Sequence, residues 1–123
     1  MQRYNDITEK IIACAIEVHR NLGPGLLESI YEKALCLELS QSGLSFESQK
    51  PVPVLYKTKA LGEFRLDLLV EDQVVVELKA VDRNDPVFKA QLLSYLKLTG
   101  RKLGLLINFN VPLLKDGLTR VIL

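Results

Sequence analysis

The sequence predicts a single α/β domain in which a mixed β-sheet, an antiparallel meander plus one parallel crossover strand, is flanked by α-helices. Two observations carry this prediction. Apolar residues recur at helical spacing at the start of the chain and again after residue 85, whereas residues 46–81 alternate with the period typical of strands. A length of 123 residues with 48% hydrophobic content suits one domain over residues 1–123.

Two helices are expected first. The first is predicted from Asp6 to Leu22, with Asp6 and Glu9 resembling a capping box at its start and Gly23-Pro24-Gly25 ending it. The second is predicted from about Leu26 to Gln41, with Gly43 as its stop. Its predicted apolar arc consists of Leu27, Ile30, Tyr31, Ala34, Leu35 and Leu39.

Three strands are expected next. The run from Phe46 to Tyr56 contains Pro51 and Pro53, which favour the edge of a sheet. Two further alternating runs, 64–70 and 74–81, are separated only by Glu71-Asp72-Gln73 and therefore predict an antiparallel hairpin.

The remaining elements complete the sheet. A third helix is predicted after Asn84-Asp85, with Pro86 in its first turn and Gly100 after its last residue, Thr99. The apolar run from Leu103 to Phe109 is typical of a strand covered on both faces, and a helical crossover to it implies a parallel pair. The tail at 119–123 predicts one more short strand.

Composition limits the functional classes. Sixteen Lys and Arg against 15 Asp and Glu give a net charge of +1, so any basic surface must be local. The cysteines, Cys14 and Cys36, with a single histidine cannot form a four-ligand zinc site and are expected to be reduced core residues. The chain shows neither a membrane-spanning run nor a signal-peptide core, so we expect a soluble cytoplasmic protein.

The predicted hairpin places three charged residues together. A three-residue turn pairs Val70 with Val74, and counting along both strands puts Asp67 opposite Glu77 at a Cβ separation of about 5 Å, with Lys79 on the same face. Two carboxylates among Val and Leu repel each other unless a cation compensates, and Mg²⁺ binds through one or two carboxylates plus phosphate oxygens. The alternative is a cross-strand salt-bridge network without a ligand.

Four further residues are candidates with open alternatives. Glu28 lies at the margin of the apolar arc, and it either contributes to the site or stabilises a helix N-terminus. Gln91 and Tyr95 share one stripe of the third helix, where they either reach the site or pack in the core. His19 lies near a helix end and is expected to be a surface or capping residue.

Six blocks of the sequence resemble the GxxExxY proteins in order. The namesake motif is matched by GLLESIY at residues 25–31, after VHRNLGP at 18–24. The later blocks are FRLDLLV at 64–70, VELKAV at 76–81, QLLSYL at 91–96 and GLLINF at 104–109. They cover nearly the whole chain.

The resemblance implies membership of the PD-(D/E)XK nuclease superfamily, with a restriction-endonuclease-like core. It implies a Mg²⁺-dependent nuclease acting on DNA, with Mn²⁺ as a possible substitute, or a binding module on the same fold. The implied catalytic residues are Glu28, Asp67, Glu77, Lys79 and Gln91, and the implied metal ligands are Asp67, Glu77 and Glu28. Leu66 stands where the superfamily name has proline, which is no ligand. Many proteins of this fold act as dimers, and the sequence leaves open whether this chain does.

Overall fold

A computed structural model describes the backbone of residues 2–123 and the side chains from Asn5 onward. Over these residues the chain forms helices on both faces of one five-stranded sheet. The helices are α1 (Gln2–Leu22), α2 (Glu28–Gln41) and α3 (Pro86–Thr99), with a short 3-10 helix at Leu114–Gly117. The strands are β1 (Phe46–Tyr56), β2 (Lys59–Val70), β3 (Val74–Lys79), β4 (Leu103–Asn108) and β5 (Leu118–Ile122).

The sheet has the strand order β1-β2-β3-β4-β5. The pair β3–β4 is parallel and the other pairs are antiparallel, so the predicted meander followed by a helical crossover is confirmed. The turn between β2 and β3 pairs Val70 with Val74, as counted from the sequence. Glu71 and Asp72 adopt positive φ angles of 54° and 57° in this turn, which allows the tight reversal.

Each face of the sheet is covered by its own apolar core. α1 and α2 pack on one face and α3 packs on the other, so β3 and β4 are buried on both sides, as their continuous apolar runs predict. The core under α1 and α2 includes Ile11, Tyr31, Leu35, Leu68, Val76 and Phe109. The core under α3 includes Leu66, Leu69, Val75, Leu92 and Leu96.

The predicted bounds of α3 agree with the structure. Asp85 caps the helix by accepting a hydrogen bond from Val87 N at 3.0 Å, and Gly100 ends it in a left-handed conformation with φ 69°. β1 is an edge strand, as Pro51 and Pro53 indicated. No helix of the described residues is long and apolar enough to cross a membrane.

Two details of the helices differ from prediction. α1 begins at Gln2, so Asp6 and Glu9 lie inside the helix and form no capping box. An exposed acid inside a helix is tolerated at little cost, so the helix continues through the local capping signal. α2 begins only at Glu28, so Leu27 lies before the helix and is 73% exposed. Ile30 is 42% exposed because α2 buries the side that carries Tyr31, Leu35 and Leu39.

The cysteines occupy different environments. Cys14 is buried, with Sγ 3.3 Å from Ser42 Oγ, whereas Cys36 is only half-buried on α2. Both are free thiols.

Candidate functional site

The candidate site lies where hydrogen bonding of β2 to both neighbouring strands is interrupted. Pairing with β3 stops at Leu68↔Val76, one residue before Asp67 and Glu77. On the other side, β1 pairs at Ser48↔Leu68 and Lys50↔Leu66 but skips Gln49 and Asp67. Gln49 has a positive φ of 53°, a backbone conformation that residues other than glycine rarely adopt. Asp67 therefore stands in a local gap of the sheet.

β2 also rotates at Asp67. Leu68 packs in the core under α1 and α2, whereas Leu66 packs in the core under α3. Residues two positions apart on a regular strand point to the same face, so the strand has turned about its own axis between them. Asp67 consequently lies between a residue that faces α1 and α2 and a residue that faces α3.

Two carboxylates converge in this gap. Asp67 Oδ2 accepts a hydrogen bond from Leu78 N at 2.8 Å, and Glu77 Oε2 accepts one from Asp67 N at 2.9 Å. Each side chain thus replaces a backbone partner that the opened ladder has lost. The structure brings Asp67 and Glu77 side by side, with one oxygen of each tied to the backbone.

The environment opposes negative charge at Glu77. The residue is only 6% exposed. Burial, and next the charge of Asp67, raise the pKa of Glu77 to about 8, although the hydrogen bond from Asp67 N and the positive charge of Lys79 act in the opposite direction. A second positive charge brought to this pair would stabilise both carboxylates.

Glu32 on α2 is an acidic neighbour that the sequence analysis missed. Gln49 Nε2 donates to Glu32 Oε1 at 2.8 Å and more weakly to Asp67 Oδ1 at 3.4 Å. Burial and then the charge of Asp67 raise the pKa of Glu32. Glu32 lies four residues after Glu28, so helical spacing could have found it, whereas nothing in the pattern marks Gln49.

Glu28 is the first residue of α2 and is exposed. Its charge contributes to the raised pKa of Glu32, but it has no hydrogen bond to Asp67 or Glu77. The loop before it is fixed by Tyr31, whose hydroxyl donates to Gly23 O at 2.6 Å and accepts from Leu26 N at 3.1 Å. Tyr31 is buried and stacks on Phe109 at 4.5 Å between centroids. The tyrosine of the motif therefore positions the start of α2.

Lys79 is half-buried on the α3 side of the pair. Its Nζ lies 4.5 Å from the centroid of the Phe88 ring, a cation–π contact that restrains the ammonium group. Lys79 forms no salt bridge with the described residues. Over these residues the structure therefore does not contain the cross-strand salt-bridge network that was the alternative. The charge of Lys79 reaches Glu77, whose pKa it lowers.

The remaining candidates lie at different distances from the pair. Tyr95 stacks on Phe64 with 4.2 Å between the ring centroids. Burial raises the pKa of Tyr95, and the charges of Glu77 and Asp67 raise it further, so its hydroxyl is electrostatically coupled to the pair. Gln91, one turn earlier on α3, is exposed and makes no hydrogen bond to the described side chains. His19 bonds Val111 O at 2.7 Å through Nε2, which ties α1 to the segment after β4.

Asn108 fixes the chain that leaves β3 after Lys79. Its Nδ2 donates to Val81 O at 3.0 Å, and its Oδ1 accepts from Val81 N at 3.1 Å. Asn108 is 3% exposed at the end of β4. The ends of the two parallel strands are thereby held together beside the site.

The donor set fits a hard divalent cation that completes its coordination with water or with substrate oxygens. Among the described residues no cluster of three or more His, Cys, Asp and Glu side chains could hold a metal ion alone. Asp67 Oδ1 and Glu77 Oε1, however, make no strong hydrogen bond to described protein groups. Two carboxylate oxygens with water and phosphate oxygens are a set that Mg²⁺ accepts.

Comparison with known proteins assigns the chain by family. Residues 5–121 match the family model of the PD-(D/E)XK nuclease superfamily. Comparisons with curated proteins and with solved structures gave no match. The matched range includes the whole gap in the sheet, together with Glu28, Glu32 and α3.

Proposed function

Because the chain belongs to the PD-(D/E)XK nuclease superfamily, we propose that it is a Mg²⁺-dependent nuclease that hydrolyses phosphodiester bonds of DNA. The superfamily implies a nucleic-acid substrate and, in general, a divalent metal ion. The observation that best supports the proposal is the pair of carboxylates, Asp67 and Glu77, in the gap of the sheet. Placing a second acid beside the buried Glu77 is unfavourable in a protein that binds no cation there.

The proposed roles follow from position. Asp67 and Glu77 hold the ion with the oxygens that are not bonded to the backbone. Glu28, exposed at the start of α2, stays a proposed ligand reached through ordered water or substrate, and Glu32 with Gln49 orients Asp67. Gln91 faces solvent on α3 and is proposed to contact the substrate backbone.

The reaction forms a bond between the oxygen of water and phosphorus, while the bond to the leaving sugar oxygen breaks. A divalent cation held by Asp67 and Glu77 would polarise the phosphate and favour loss of a proton from the attacking water, and the leaving sugar oxygen would take up a proton from solvent. Lys79 offers a restrained ammonium group that offsets the charge developing on the phosphate oxygens. The buried walls around Glu77 exclude water and so strengthen these interactions.

Calorimetry and cleavage together test this proposal. The wild type is expected to bind Mg²⁺ or Mn²⁺ and to cleave DNA only with metal present, and Asp67→Asn should lose both properties. Asp116→Asn, an exposed acid on the 3-10 helix, is the matched control and should retain both. Equal metal binding by wild type and Asp67→Asn would refute the proposed site.

A non-catalytic binding module is the second candidate. It is favoured by the absence, among the described side chains, of a group of three or more His, Cys, Asp and Glu residues placed to hold a metal ion. Such a module would bind single-stranded, duplex or branched DNA without metal-dependent turnover. The closer resemblance to GxxExxY proteins and a cytoplasmic location stay predictions of the sequence, and a homodimer stays open.

A further inference from the structure

One hairpin of the sheet extends well beyond the other strands. β1 and β2 pair from Phe46↔Val70 to Tyr56↔Lys59, whereas the pairing of β3 along β2 ends at Leu68. The side chains of residues 59–63 are all exposed. We call residues 50–66 the arm, because only its base packs against the core under α3, through Val52, Phe64 and Leu66.

The arm is a paired hairpin whose base is anchored on α3. Lys57 and Thr58 adopt φ angles of 48° and 69°, which suit a two-residue turn that matches the twist of the flanking strands. At the base, Phe64 stacks on Tyr95 of α3 with an interplanar angle of 8°. Backbone pairing makes the arm a two-stranded ribbon, with one register shift between Val54 and Leu55, and the aromatic contact anchors its base.

Positive charge is concentrated on the arm. It carries Lys50, Lys57, Lys59 and Arg65 against the single acid Glu63. Lys50 pairs with Glu47 and Arg65 lies 3.9 Å from Glu63, but Lys57 and Lys59 form no salt bridge with a described carboxylate. The whole chain has a net charge of only +1, so the rest of it is net negative. The tip is therefore complementary to a polyanion.

The outer edge of the arm is poorly suited to another β-strand. Pro51 and Pro53 lie on β1, which is the edge strand, and neither has an N–H group to donate. An added strand would lack these hydrogen bonds. This argues against a second copy or a peptide pairing along β1.

We propose that the arm binds duplex nucleic acid and directs it across the Asp67–Glu77 pair, an inference that rests on the proposed function. Asp67 and Lys59 lie on the same strand, so they are separated by at most about 26 Å, the span of a fully extended strand of that length. That distance corresponds to about eight base pairs of duplex. The major groove admits a two-stranded β-ribbon.

The arm favours a duplex over a single strand. Binding of single strands relies on aromatic rings that stack on successive bases. On the arm, Phe64 is already stacked on Tyr95, which leaves Tyr56 at the tip, where Lys57 Nζ lies 5.5 Å from its ring centroid. The tip therefore offers charge rather than a stacking platform.

Fluorescence anisotropy in EDTA tests the arm without cleavage. Wild type, Lys57→Gln/Lys59→Gln and the control Lys10→Gln/Lys115→Gln, which removes two exposed lysines outside the arm, are titrated against a labelled duplex of about 20 base pairs. The arm variant should raise Kd about tenfold in about 0.1 M salt and lower the slope of log Kd against log salt by about two. The control should match wild type, and circular dichroism should show that all three are folded.

Three outcomes would overturn the inference. The first is that the arm variant and the control variant have the same Kd and the same salt slope. The second is that wild type binds a single strand of the same length more tightly than the duplex. The third is that the arm variant binds the duplex as wild type does but differs from it in self-association. A wild type that cleaves DNA while the arm variant binds normally refutes the arm alone. Arm-dependent binding by a wild type that never cleaves supports the arm and refutes the proposed hydrolysis.

Discussion

At the scale of single residues, Glu77 couples the stability of the protein to pH. Its pKa is raised from the ordinary value of 4.5 to about 8, chiefly by burial and then by Asp67. Between these values the native protein holds a proton that the unfolded chain has released, so the free energy of unfolding falls as pH rises. Each pKa unit corresponds to about 1.4 kcal/mol.

We therefore expect metal-free wild type to lose stability between about pH 5 and about pH 8, and Glu77→Gln to lose much less. Glutamine can still accept the hydrogen bond from Asp67 N. Urea denaturation at both pH values checks this, with Asp116→Asn as the control that should follow wild type. An equal loss of stability in wild type and Glu77→Gln between the two pH values would contradict the raised pKa.

The sequence determined part of this site directly. Counting from the three-residue turn brought Asp67 and Glu77 to the same place, because a strand alternates with a fixed period and the turn sets the register. Gln49 was missed because its hydrogen bond to Asp67 depends on the rotation of β2 and on the positive φ of Gln49, and Glu32 is linked to Asp67 only through Gln49. Neither feature has a signature in a pattern of apolar and polar residues.

At the scale of elements, the loop between α1 and α2 depends on one hydroxyl group. Tyr31→Phe removes the hydrogen bonds to Gly23 O and from Leu26 N but keeps the stacking on Phe109. Leaving these backbone groups without their partner should lower the free energy of unfolding by about 1–3 kcal/mol. The start of α2, and with it Glu28, should also become less ordered.

Urea denaturation measures this effect against a matched control. Tyr56→Phe removes a hydroxyl from a 60% exposed ring on the arm and should change stability by no more than about 0.5 kcal/mol. If both variants unfold at the same urea concentration as wild type, Tyr31 does not hold the loop.

Local signals explain which elements were predictable. α3 was placed correctly because Asp85, Pro86 and Gly100 each act on the backbone next to them. The start of α1 was placed wrongly because Asp6 and Glu9 form a capping pattern that an already propagating helix does not need. The mixed sheet followed from strand alternation and the crossover, which are constraints on connection rather than on single residues.

At the scale of the whole molecule, net charge conceals how charge is arranged. A chain with 16 basic and 15 acidic residues gave no reason to expect attraction to nucleic acid. The fold separates these charges, with Lys57 and Lys59 at the tip of the arm and Glu32, Asp67 and Glu77 near its base. Under the proposed function, a polyanion attracted to the tip would be led toward the acids that bind the cation, which would link substrate binding to metal binding.

Metal binding should also be measurable as global stability. Unfolding separates β2 from β3, so Asp67 and Glu77 can hold Mg²⁺ together only in the native state. Free Mg²⁺ at about 100 times Kd should add about 2.7 kcal/mol, which raises Tm by roughly 10 °C. The increase should be larger near the raised pKa of Glu77 than at low pH, because the ligand must release its proton to bind.

Differential scanning fluorimetry with MgCl₂ and with KCl of equal ionic strength checks this prediction. Wild type and Asp116→Asn should respond to Mg²⁺ alone, whereas Asp67→Asn and Glu77→Gln should respond to neither salt. Screening of surface charges acts through ionic strength and would raise or lower Tm in all four proteins with both salts. A Mg²⁺-specific rise in Asp67→Asn as large as that in wild type would place the ion elsewhere and remove the physical basis of the proposed nuclease.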